Sequence, residues 1–179
     1  TGSFEKAVEE VGKIMNIKGK VLPVTQNKVR LKMILNDGNV LQGEGEICTS
    51  RVLDQGYQSI YLEPFPKADP HALQEIMDAD LVIVGPGGLY SSLIPNLLVE
   101  GVSKALRDTE ATTIYIANLM NKKGQTTGFS VSRHLQELSR FLGKDIFDHV
   151  LVNNGVPAAD LVKRYETEAA LVENDMQDD

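Results

Sequence analysis

The chain has 179 residues, 42% hydrophobic and 24% charged, with a net charge of −7 at neutral pH. That is enough for one domain with a real core, and so acidic a balance argues against non-specific DNA or RNA binding, which needs clustered positive charge. No apolar run approaches the roughly 18 residues of a membrane span, and the single Cys48 makes no internal disulfide, which fits a reducing cytoplasm.

Phe4, Ala7, Val8, Val11, Ile14 and Met15 recur at spacings of three and four. They predict an amphipathic helix over 4–15, capped by Ser3. Residues 21–25 read as a short strand. From Val29 the period becomes two: Leu31, Met33 and Leu35 alternate with Arg30, Lys32 and Ile34. Asn36-Asp37-Gly38-Asn39 supplies a turn, and 40–48 alternates again, which predicts a β-hairpin. Gly43 and Gly45 suggest a bulge or an edge in its second strand. A further strand over 59–63 is closed by Pro64 and Pro66.

From Pro70 the pattern turns α/β. A helix over 71–77 leads to a strand over 81–84, a glycine-rich turn and a helix over 92–106. A strand over 112–117, a polar loop over 118–129 and a helix over 131–142 follow, the helix carrying Leu135, Leu138 and Leu142 on one face. A strand over 149–152 and a short helix over 160–165 complete the series. The strands are unbroken apolar runs, which predicts burial on both faces. Crossover helices force parallel strands with right-handed connections. The expected fold class is α/β, a doubly wound parallel sheet over 70–155 with an antiparallel β-hairpin appendage over 20–63.

In such a sheet the loops that follow strands share the carboxyl edge, where ligands bind at a switch in strand order. Three loops qualify: 85–92, 118–128 and 153–155. In the first, Gly85, Pro86, Gly87 and Gly88 let the backbone approach a ligand and take positive φ. Tyr90 stands where a dinucleotide fingerprint has its third glycine. Ser91 and Ser92 are placed to cap a helix whose free N–H groups favour an anion. A phosphate cradle and a plain tight turn both fit this loop. In the second, Asn118 and Asn121 can read amide or carbonyl edges. Lys122 and Lys123 suit either phosphate or solvent, and Thr126 and Thr127 either phosphate or a helix cap. Asn153 lies in the third loop. Tyr165, beside Arg164, can stack on a base or simply anchor the last helix. No nucleophile elbow occurs, and His71, His134 and His149 lack the spacing of a zinc site. Asp78 and Asp80 sit at the amino end of a strand, the wrong edge for a metal pair.

The stretch Ala79 to Val99, with Val84-Gly85-Pro86-Gly87-Gly88-Leu89-Tyr90-Ser91-Ser92 at its centre, resembles the gluconeogenesis factor family. That family belongs to the 2-phospho-L-lactate transferase-like superfamily. Gly19 to Thr25 with the hairpin, Ile116-Ala117-Asn118-Leu119-Met120 with Gly124 to Phe129, and Val150 to Asn153 agree with it. The resemblance implies a Rossmann-like fold in a cytoplasmic bacterial protein. It implies a UDP-sugar ligand such as UDP-N-acetylglucosamine, and a non-catalytic role in cell shape and cell-wall synthesis during gluconeogenic growth. It also implies cell-wall partner proteins and a homo-oligomer. The alternative it implies is a transferase that moves a phospholactyl group onto a deazaflavin with magnesium. By similarity, 85–92, Asn118 and Thr126/Thr127 line the cleft and Tyr165 stands beside the uracil. The family's opening phosphate-loop strand and closing Arg-His-Asp segment have no counterpart here, so 1–179 reads as a single incomplete domain.

Overall fold

The computed structural model describes residues 3–176; Thr1, Gly2 and the last three residues of the acidic end lie outside them. Helix α1 (Phe4–Ile14) forms as the spacing predicts, with Ser3 at the N-cap position in extended backbone, but the Ser3 side chain makes no capping hydrogen bond. The expected strand over 21–25 does not form. Pro23 has no N–H for a ladder, and the segment is tied to its neighbours by single bonds. Val24 carbonyl accepts from Asp69 N–H and the Thr25 hydroxyl donates to Lys67 carbonyl.

The hairpin pairs β1 (Arg30–Leu35) with β2 (Val40–Gln42) in antiparallel register, Met33 opposite Leu41. Its second strand is shorter than expected. The chain turns at Gly43, and Glu44–Thr49 forms helix α2 instead, where Glu46 accepts from Gln42 N–H at 2.7 Å. The alternation of Glu44 and Glu46 is thus helical surface. Strand β3 (Tyr57–Glu63) flanks β1 on its other side, giving the order β2-β1-β3.

Helix α3 (Pro70–Met77) begins on Asp69, whose carboxylate accepts from His71 N–H at 2.8 Å, with Pro70 in the first turn. Strand β4 (Leu81–Val84) follows. The helix expected over 92–106 is broken into a wide turn at Leu89–Leu93, α4 (Ile94–Leu97) and α5 (Val102–Asp108). The interruption is tertiary: Glu100 pairs through its backbone with Pro66 and Ala68 at 3.0 Å each.

Strand β5 (Thr112–Ile116) leads into the polar loop, which contains a strand the sequence did not reveal, β6 (Met120–Lys122). Helix α6 (Val131–Leu142) has the expected bounds. Ser130 caps it by accepting from Arg133 N–H, and Gly143 closes it in the left-handed region. Strand β7 (His149–Leu151), helix α7 (Ala159–Tyr165) and strand β8 (Ala169–Leu171) complete the described chain. β6 pairs antiparallel with β8, Asn121 opposite Ala170.

The parallel sheet has the order β4-β5-β7. The α/β class therefore holds, with an antiparallel sheet beside a parallel one. Two details differ from expectation. Among the described residues the strand order does not reverse, so no switch point forms there. Nor are the strands buried on both faces. Val82, Val84, Tyr115 and Val150 join the core, while Leu81 and Leu151 are exposed and Ile83 is 53% exposed. The strands run in sequential order, and α5 packs on α6. Right-handed crossovers between strands in that order put the helices on one side.

One core serves both sheets: Met33 and Ile47 from the antiparallel side join Ile94, Tyr115, Val131 and Leu138 from the parallel side, all fully buried. A polar knot crosses it. The Tyr57 hydroxyl donates to Glu137, which is 1% exposed, and Arg140 donates to both Glu137 oxygens at 3.0 and 2.8 Å. Burial first, and then this carboxylate, push the Tyr57 hydroxyl well above its ordinary pKa.

Leu138→Ala empties a fully buried site and should cost about 2–5 kcal/mol, against under about 1 kcal/mol for Ile83→Ala on the bare face; urea unfolding of the two variants of this chain measures both. His134 supplies a pH test. Its Nδ1 lies 2.9 Å from Ser130 carbonyl and so carries the proton, while its buried Nε2 has no partner among the described residues. Burial lowers its pKa from 6.5. Its contribution is fully present above that unfolded value and is lost as pH falls through the lower folded one. His134→Phe should flatten the decline in stability as pH falls below 6.5.

Candidate functional site

The loops after β4 and β5 meet, as the sequence suggests, and the contact is specific. Gly85 leaves β4 with φ +88, and a Cβ there would lie 2.7 Å from Ile116 carbonyl. A glycine is the residue that lets the two strand ends approach this closely. The Asn118 side chain then binds Gly87 twice. Gly87 N–H donates to Asn118 Oδ1 at 3.2 Å, and Asn118 Nδ2 donates to Gly87 carbonyl at 2.9 Å. Of the three glycines in the loop only Gly85 has positive φ. Gly88 is exposed at the start of the wide turn, where a Cβ would lie 2.5 Å from Ser91 Oγ.

The remaining expected residues divide. Pro86 follows Gly85 through a cis peptide on the exposed loop. Tyr90 is in the core, its ring centroid 5.5 Å from that of Tyr57 in an edge-to-face arrangement. Ser91 and Ser92 do not cap the helix; they lie inside the turn at Leu89–Leu93, which makes no side-chain cap bond. Asn121 is 3% exposed, with Nδ2 donating to Phe129 carbonyl and Oδ1 enclosed without a partner among the described residues. Thr126 Oγ1 accepts from Lys122 N–H at 3.0 Å and Thr127 Oγ1 from Gly124 N–H at 2.8 Å, so both hydroxyls close their own turn. Asn153 folds back on Gly155 through two bonds, away from the cleft lining.

A cleft of about 490 Å³ gathers Gly88, Asn118, Asn121 and Tyr165. Tyr165 ends α7 and is 57% exposed. The paired strands β6 and β8 fix the distance between it and the loops. Three further polar lining residues escaped the sequence reading: Thr49, Arg51 and Glu168. No spacing signals them. Thr49 and Arg51 arrive from the antiparallel region because the buried Gln125 Nε2 reaches Ile47, Cys48 and Ser50 carbonyls at 3.0, 2.7 and 3.0 Å. A larger cavity of about 800 Å³ lies at the amino edge of the sheet. Two of its polar groups are spent on structure: Asp148 accepts from Thr113 N–H at 2.7 Å, which lowers its pKa, and Arg107 binds Leu142 carbonyl. Among the described residues no cluster of three His, Cys, Asp or Glu could hold a metal ion, and no helix is long and apolar enough to cross a membrane.

The model of the family described as 2-phospho-L-lactate transferase CofD matches residues 1–179. The chain belongs to that family. It is 36% identical over 172 residues to the "Gluconeogenesis factor" of Halalkalibacterium halodurans, covering 95% of this chain and 52% of that protein. It is 35% identical to the "Gluconeogenesis factor" of Bacillus subtilis, covering 95% of this chain and 53% of that one. The crystal structure of protein BH3568 from Bacillus halodurans, described as a member of the UPF0052 family, superposes with TM-score 0.88 at 33% identity. That match covers 97% of this chain and 56% of that chain. The chain spans between about a third and a half of the length of the curated relatives it matches, 37% of one and 52% of another.

The loop contact can be tested by stability. Gly85→Ala combines positive φ with a collision on backbone and should cost about 2–4 kcal/mol. Asn118→Ala removes two bonds and should cost about 1–3 kcal/mol. Both should lower the urea midpoint without changing the slope.

Proposed function

We propose that the cleft binds a UDP-sugar such as UDP-N-acetylglucosamine, and that the protein works by binding rather than by turnover, as a cytoplasmic factor in cell shape and cell-wall synthesis during gluconeogenic growth. One observation carries the reading. An exposed aromatic ring, Tyr165, shares one open cleft with the exposed Gly88 backbone and the Asn118-locked loop. A flat ring suits the base, worth about 1–3 kcal/mol when stacked, and unobstructed backbone suits the diphosphate. Asn118 acts at one remove, since its amide is committed to Gly87 and holds the phosphate-facing turn in place. The names of the relatives support a role in gluconeogenic growth.

The family description favours a second reading, phospholactyl transfer to a deazaflavin acceptor with magnesium. Glu168 is the one carboxylate on the described cleft lining that could meet such a metal, together with ligand phosphates. Turnover of a deazaflavin acceptor that requires magnesium would support transfer over binding.

Calorimetric titration of the full-length protein with UDP-N-acetylglucosamine should show saturable binding. Tyr165→Ala should weaken it about 5- to 100-fold and leave thermal stability unchanged. No saturation at millimolar ligand would remove the binding reading.

A further inference from the structure

The described cleft lining carries three cations: Arg51, Lys122 and Lys123. Two are committed. The Lys122 ammonium donates to Cys48 carbonyl and the Lys123 ammonium to Glu166 carbonyl. The Arg51 guanidinium is exposed and makes no hydrogen bond or ion pair with any described residue.

Its backbone is nevertheless held with unusual closeness. Gly124 has φ +80, and a Cβ there would lie 2.4 Å from Arg51 Cα and 2.5 Å from Arg51 carbonyl oxygen. Gln125 Nε2 donates to the carbonyls of Ile47, Cys48 and Ser50 just before Arg51, and Asp54 N–H, just after it, donates to Gly124 carbonyl at 3.2 Å. Two separate elements, the turn after β6 and the segment after α2, are therefore locked together under one unpaired arginine. A structural arginine would be expected to spend its five donors on carbonyls or carboxylates, as Arg107 and Arg140 do here.

We infer that Arg51 is the specificity residue for the anionic part of the cleft's ligand, receiving the diphosphate of a nucleotide through its planar fork. The inference rests on the nucleotide reading above and deepens it. A guanidinium offers two parallel donors that match phosphate oxygens, and it remains charged at any working pH. Gly88 shares the lining, and its exposed backbone offers a second polar surface to the phosphates. Glu168 also lines the cleft, and its like charge disfavours an anion beside it, so the phosphates belong at Arg51 rather than at Glu168.

The test uses the full-length protein and UDP-N-acetylglucosamine, titrated at several salt concentrations. Arg51→Ala should weaken binding about 10- to 100-fold and make the dependence of log Kd on log salt shallower, while the melting temperature without ligand stays at the wild-type value. Arg51→Lys should recover part of the loss. An Arg51→Ala variant that binds as tightly as wild type, or loses affinity with an unchanged salt slope, overturns the assignment and leaves the nucleotide reading standing. A fall in ligand-free melting temperature that tracks the loss of affinity also overturns it, by showing a structural role. Failure of the wild-type protein to bind removes the nucleotide reading, and the assignment to Arg51 with it.

Discussion

The paired hydrogen bonds between the Asn118 amide and the Gly87 backbone are the constraint on which the candidate site depends. A glycine-rich loop is entropically costly to order. Left alone, 85–88 would sample many shapes. The Asn118 side chain satisfies the donor and the acceptor of one peptide at once, and Gly85 brings the two strand ends close enough for it to do so. Each bond contributes only about 0.5–1.5 kcal/mol net. Their value lies in fixing one conformation at the place where a ligand would meet bare backbone.

The second half of the cleft has a different origin. Nothing in the parallel sheet supplies a cation or an aromatic ring to it. Arg51 comes from the segment after α2 and Tyr165 from the end of α7, and both are carried in by partners of β6. Gln125 ties the carbonyls around 47–50 to the turn after β6, and β8 pairs with β6 from the other side. The short strand β6 thus works as a spacer between three parts of the chain that are remote in sequence.

The bare face of the parallel sheet follows from the same topology. Alternate residues of β4, β5 and β7 enter a core shared with the antiparallel sheet, and the others face outward. Unbroken apolar strands ordinarily signal cover on both sides. Here the cover lies on one side among the described residues, in a chain that spans between about a third and a half of the length of its relatives.

Sequence alone determined what depends on local periodicity and turn chemistry. It placed α1, β1, α3, β4, β5, α6, β7 and α7, and it brought Gly85, Gly87 and Asn118 to one edge, because helix and strand periods and crossover rules act over short stretches. It failed where a distant partner outvoted a local preference. Backbone pairing of Glu100 with 66–68 broke a helix and β8 drew β6 out of a loop, while the conversion of half a strand into α2 was a local turn at Gly43 that the alternation concealed. The division of the expected site residues was also beyond it. Whether Thr126, Asn121 or Tyr90 faces a ligand or the interior depends on which buried donors need satisfying. That is decided only when segments far apart in the chain are packed together, and so was the arrival of Arg51 beside Gly88 and Tyr165.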